Sequence, residues 1–219
     1  MDIIKTKNGK VISKIHFLTD KKVIKNKSVE DIIKKSLLKC YKVIPTHGKK
    51  VAIYSSNDKF VRDKMGGVGA DALQENVISL YINPVKDWKK ELVSSIAHEY
   101  SHLTVLDVRK WDTVLDSLII EGIAENFREE IVGGKRAPWT KALTEKEAKS
   151  LFKKLRKNFK LKAEKMHSDL FFGSKEFKMW SGYSLGYQIV KKFREKYPKL
   201  SWKKIIKLKS SEVLKKSEF

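Results

Sequence analysis

Cysteine is nearly absent: Cys40 is the one thiol among 219 residues. That excludes an internal disulfide framework and any cysteine-built zinc knuckle, and it fits a reducing compartment. Proline and glycine are also sparse, at 4 and 11 residues, while 41% of the chain is hydrophobic. A sizeable core is therefore expected and wholesale disorder is not. No window approaches the roughly 20 apolar residues of a membrane span. The opening "MDIIKTKNGKVISKIHF" lacks the apolar run of a signal peptide. A cytoplasmic protein without a transmembrane segment is the expectation, most simply a single domain at this length.

Acidic residues are in deficit, 26 against 48 basic ones, for a formal charge of +22. Arginine is scarce within that excess: Arg62, Arg109, Arg128, Arg136, Arg156 and Arg194 carry the only guanidinium forks, which base readout would favour. No zinc finger, RNA-recognition or glycine–lysine phosphate motif accompanies the lysines. Gly66, Gly67 and Gly69 lack a following Gly-Lys-Ser/Thr and lead into a strand, so they read as a structural turn. The charge pattern suits a solvated lysine surface, leaving room for weak, sequence-independent nucleic-acid binding.

Periodicity divides the chain into two styles. "KVISKIHFLT", "KKVAIYSS" and "NVISLYINP" read as strands, and "VEDIIKKSLLKCYKVI" as a helix capped by Ser28. "DKMGGVGADALQ" reads as a loop. Beyond Pro84 the pattern is helical, with helices expected near 86–106, 112–131, 144–165, 182–197, 201–208 and 210–216. Thr144 and Glu147 form a capping box, Ser201 caps a later helix, and Gly133, Gly134 and Pro138 separate two of them. An α+β fold follows, a small antiparallel or mixed sheet on the N-terminal side with a mostly helical core.

The chemistry concentrates in "SSIAHEYSHLTVLD". His98 and His102 stand four apart, so on a helix they share a face, with Cβ atoms about 5–6 Å apart. Both imidazoles can aim at one zinc ion with nitrogens near 2.0–2.1 Å. Glu99 is rotated by about 100° from His98, so it does not ligate but can reach a water at the metal. A catalytic zinc needs a third protein ligand. The metzincin spacing would put it at position 108, which is Val108. Instead Glu121 follows His102 by nineteen residues, in "LDSLIIEGIAENF", giving HExxH-x18-E.

That pattern resembles the gluzincins, shared with the large zinc aminopeptidases, whose ligand glutamate is also followed by Gly, an apolar residue and Ala. The ensemble "AHEYSH", "EGIAE", "GYSLGYQIV" and "SSEVLKKSEF" resembles still more a bacterial and archaeal family described only as predicted zinc-dependent proteases, from about residue 50 to the end. The resemblance implies a zincin-like fold with the HExxH helix in the core. In domain terms it implies one metallopeptidase domain over 1–219, with 1–48 a strand–helix extension and 49–219 the zincin core. It implies zinc as cofactor, peptide or protein as substrate, His98, His102 and Glu121 as ligands, and Glu99 as general base in peptide-bond hydrolysis.

Glu125, one turn past Glu121, takes the place of the acid that holds a ligating imidazole. Tyr183 and Tyr187 are similar to the downstream tyrosines that stabilise the oxyanion. Gly122 and Ala124 would let the Glu121 helix pack closely on the histidine helix. The strand before the histidine helix fits the zincin plan, in which an edge strand pairs with extended substrate. His167 is a remote donor candidate, and Glu75, in "LQEN", a weak candidate amine anchor. The competing expectation is a basic nucleic-acid-associated binding protein with a structural or vestigial zinc site. Three ligands and an additional Glu99 weigh against it, because structural sites are normally closed by four.

Overall fold

The computed structural model describes residues 2–6, 9–133 and 136–219, which divide into two compact units on either side of Thr104 and Val105. The first unit holds β1 (Asp2–Lys5), β2 (Val11–Phe17), α1 (Lys27–Val43), β3 (Lys49–Ser55), α2 (Lys59–Lys64), β4 (Val68–Asp71) and β5 (Val77–Ile82), and α3 (Trp88–Leu106) begins there. The strands form one mixed sheet in the order β1-β2-β3-β5-β4. β2, β3 and β5 run parallel, while β1 and β4 are antiparallel to their neighbours.

The central strands bury Val51, Ile53, Ile78, Leu80 and Ile82, and α1 buries Val29, Ile33, Leu37 and Cys40 along one stripe. Burial pushes the Cys40 thiol up to about 12, so it behaves as a small apolar core group. Asn26, not Ser28, caps α1: its side chain accepts from Val29 N–H and donates to the carbonyls of Lys22 and Val23. Ser28 is already the second residue of the helix, past the N-cap position.

Two further expectations change in this unit. The segment 63–74 is not all loop: it contains the end of α2 and the whole of β4. And β5, the strand just before α3, is interior, with β4 taking the edge beside it. Gly67 makes the α2–β4 turn possible. Its φ is +86°, and a Cβ there would meet Asn83 O at 2.6 Å. That is the structural turn expected for these glycines.

The second unit is helical among its described residues: α4 (Val114–Val132), α5 (Glu145–Leu155), α6 (His167–Phe172), α7 (Ser181–Lys196), α8 (Trp202–Ile205) and α9 (Ser210–Ser217). The capping box expected at Thr144 is present, with Thr144 and Glu147 bonding reciprocally. Ser201 occupies its N-cap position without a side-chain cap bond. Gly133 ends α4 with φ +73°, whereas Gly134 lies outside the described residues.

The helix expected over 144–165 stops at Leu155. Val114 N–H donates to Leu161 O (3.0 Å), Leu115 N–H to Phe159 O (3.2 Å) and Ala163 N–H to Asp112 O (2.9 Å). The 159–163 segment gives up its helix to pair with 112–115. No helix among the described residues is long and apolar enough to cross a membrane.

Candidate metal centre

α3 carries the histidine pair. Their Nε2 atoms lie 2.9 Å apart, with ring centroids at 4.6 Å and planes at 78°. Below them Tyr100 donates to Ile44 O at 2.7 Å, a buried bond that fixes the helix by its opposite face. His102 and Glu99 are buried and His98 is half-buried.

α4 supplies the carboxylate. Its first turn is closed by the Thr113–Asp116 capping box, and Asp116 also accepts from Ser210. Burial alone would raise the Asp116 carboxyl, but hydrogen bonds from Ser210 and Thr113 outweigh it and hold the group below its ordinary value. Further along, Gly122 crosses Gly186 of α7, where a Cβ on Gly122 would meet Gly186 O at 2.2 Å. The close approach expected from Gly122 is therefore made to α7. α4 is buried without interruption from Ser117 to Arg128, which includes Glu121 and Glu125.

One ligand atom each of His98, His102 and Glu121 lies within 4.8 Å of the other two. Zinc with nitrogens at 2.0–2.1 Å in tetrahedral array sets its ligand atoms about 3.3 Å apart, so the imidazole pair is within about 0.5 Å of that spacing. Two imidazoles and one carboxylate form a donor set suited to zinc rather than to calcium or magnesium, which take oxygen. On spacing and donors, the residues fit a zinc ion.

Around this triad the side chains differ in what they touch. Glu125 is fully buried; Arg128 Nε donates to its Oε2 at 3.0 Å and Trp139 Nε1 to its Oε1 at 2.8 Å. Glu121, Glu125 and Arg128 stand at i, i+4 and i+7, along one face of α4. Tyr187 donates to Glu129 Oε2 at 2.7 Å, and the Arg136 guanidinium sits 4.2 Å over its ring. Burial, reinforced by the Glu129 carboxylate, raises the Tyr187 phenol above its ordinary value.

Tyr183 is half-buried, edge-on to Phe171 at 4.8 Å and 6.5 Å from Trp139. His167 stacks on Phe171 at 4.6 Å, as an aromatic packing group does. Glu75 is exposed in the turn between β4 and β5. Trp139 and Arg128 had not been singled out for the site. Arg128 could have been found from its i+7 spacing to Glu121; Trp139, arriving from a 3-10 turn at Pro138–Lys141, carries no such signal.

No curated protein and no solved structure matches the chain. A family model does, over residues 29–215, so the likeness begins within α1, earlier than the motifs suggest. With a match of that extent and the His98, His102 and Glu121 cluster in place, the chain belongs to the family described as Predicted Zn-dependent protease (DUF2268).

Proposed function

We propose that the protein is a zinc-dependent peptidase of gluzincin type, a single metallopeptidase domain acting on peptide or protein substrates in the cytoplasm. One observation carries the proposal: His98, His102 and Glu121 converge at ligand distance, with the carboxylate of Glu99 next in sequence to one of them. A zinc ion held there supplies Lewis acidity, making water more acidic and polarising the scissile carbonyl.

The chain's own residues do the rest. Glu99 takes the proton of the attacking water and returns it to the leaving amine. Tyr183 donates to the oxygen on which charge develops. It is favoured over Tyr187, whose hydroxyl is spent on Glu129. Glu125, clamped by Arg128 and Trp139, holds a ligating imidazole in its orientation. β4, the edge strand next to β5, offers its open side to an extended substrate.

The test compares metal content with hydrolysis. About one zinc per chain is expected after reconstitution, and chelator should abolish cleavage of a peptide library. Glu99→Gln should retain the zinc yet cleave several orders of magnitude more slowly. If that variant cleaves as fast as the parent, or if the reconstituted protein binds no zinc, the proposal fails.

A further inference from the structure

The positive charge of the second unit is distributed in two ways. On α5 and α7 several lysines are paired: Lys149 with Glu145 (2.9 Å), Lys191 with Glu129 (3.8 Å), Lys192 with Glu145 (3.3 Å). Arg194 pairs with Glu130 and Lys196 with Glu218. Elsewhere in the unit, Lys110, Arg156, Lys160, Lys162, Lys209 and Lys215 are all exposed, and none makes an ion pair among the described residues.

The backbone brings these six together. Lys160 and Lys162 lie on the segment that pairs with 112–115, with Lys162 bridged to Thr113. Thr113 lines a cavity of about 450 Å³ together with Lys110, Lys209 and Ser211. Ser211 also lines the adjoining cavity, about 370 Å³, which holds Arg156 and Lys215. Acidic side chains offset the band only in part. Glu218 pairs with Lys196, and Glu212 accepts from the backbone of Lys209. Asp112 and Asp116, which line the first cavity, remain as carboxylates against the six cations and Arg109.

The second cavity is also lined by Phe152 and Phe219, both half-buried, with rings 5.5 Å apart and Lys192 Nζ 5.4 Å over the Phe219 ring. Unpaired cations interleaved with accessible aromatic rings form the surface that single-stranded nucleic acid recognises. Phosphates displace counterions along the band while bases stack on the rings. An acidic peptide would use the cations but leave the rings idle. We propose that this face, formed by 109–115, 152–162 and 209–219, binds single-stranded nucleic acid through its backbone and stacked bases, without sequence readout.

The probe is a labelled single strand of about 20 nucleotides, titrated by anisotropy with the zinc-replete full chain between 50 and 200 mM salt. Six phosphate contacts predict a log–log salt slope of ~−4 for the parent. Replacing Arg156, Lys160 and Lys162 together by Gln should remove ~2 from that slope and weaken binding about tenfold or more at 100 mM salt. A control triple, Lys149→Gln, Lys178→Gln and Lys191→Gln, each paired with a glutamate, makes the same change in net charge within the same unit and should leave the slope nearly unchanged.

Phe152→Leu should weaken binding about fivefold with the slope intact, because stacking does not release counterions. Thermal melting and zinc content of each variant separate loss of fold from loss of contact. Equal effects of the two triples would overturn the proposal in favour of diffuse charge. Tighter binding of duplex would overturn the single-strand assignment. Competition by polyglutamate at equal charge concentration would point to an acidic protein instead and overturn it as well.

Discussion

α4 carries four glutamates and α5 two, and the pair in the middle of α4 lives under a different physical regime from the pair on α5. Glu121 and Glu125 on α4 are 4% and 0% exposed, inside a helix that is buried on every side over two or more turns. Glu145 on α5 is exposed and Glu147 half-buried, and both are paired with lysines at the surface. A carboxylate taken out of water stays charged only if something nearby replaces its hydration, whereas a surface carboxylate needs nothing. Burial of a glutamate pair is therefore a stronger functional signal than the pair itself. For Glu125 the replacement is visible: a guanidinium and an indole N–H. For Glu121 the convergence with His98 and His102 supplies the reason.

The sharpest way to break this comparison is to delete the buried ligand. Glu121→Ala should lower zinc affinity by more than the 10- to 100-fold that loss of a supporting residue brings, with activity falling in parallel. Stability should drop too, because a metal that binds only the folded chain stabilises it. Glu145→Ala, on the exposed helix, should leave zinc content unchanged. Metal titration of both proteins checks the pair of outcomes. Equal zinc affinity would show that burial at Glu121 serves packing alone.

Next in size is the Glu125–Arg128 pair, whose side chains are 0% and 5% exposed. Arg128→Met strands a buried carboxylate with only the Trp139 N–H and should cost roughly 3–5 kcal/mol in denaturant unfolding. Arg128→Met with Glu125→Leu should recover much of that loss, since an apolar pair of similar volume needs no hydration. If Glu125 also orients a ligating imidazole, the double variant will refold yet bind zinc 10- to 100-fold more weakly. Recovered stability with unchanged zinc affinity would make the clamp purely structural.

Smaller again is the tyrosine pair of α7, which puts two similar residues in unlike surroundings. Tyr183→Phe should lower kcat about 100-fold with little change in zinc content, the size expected when one oxyanion donor is lost. Tyr187→Phe should act on stability instead, by about 1–2 kcal/mol, because it removes a half-buried bond to Glu129. A kcat loss confined to Tyr187→Phe would reverse the assignment.

Spacing made the metal ligands legible. Four residues is one helical turn, and nineteen places Glu121 on the next helix with an apolar sequence on either side. The three main strands were legible from alternation. β4 was not, because "VGAD" is four residues long with no alternation, and its pairing to β5 is a tertiary fact. Nor was the end of α5. The stretch 144–165 contains neither Pro nor Gly, and it breaks only because its backbone finds better partners at 112–115. Ser28 looked like a cap on residue type alone, while Asn26 won by bonding three backbone groups. Trp139 was out of reach because its bond to Glu125 joins residues 14 apart from separate elements.

The smallest effect is at the exposed end of the comparison. A hydrogen bond from Lys178, supported by the Thr144 cap, holds the Glu147 carboxyl at about 2, below its ordinary 4.5. A lowered folded value means that the contribution to stability is complete above about 4.5 and is lost as pH falls toward about 2. Glu147→Gln preserves the capping-box acceptor and removes only the charge. The variant should melt slightly below the parent at pH 7 in low salt. The gap should close as salt is raised, since both partners face solvent, and it should vanish as pH falls below about 2, where the parent carboxyl is itself protonated. A gap that persists in high salt would mean that Glu147 is held by something other than its surface lysine. The contrast with the buried glutamates of α4 would then be one of degree.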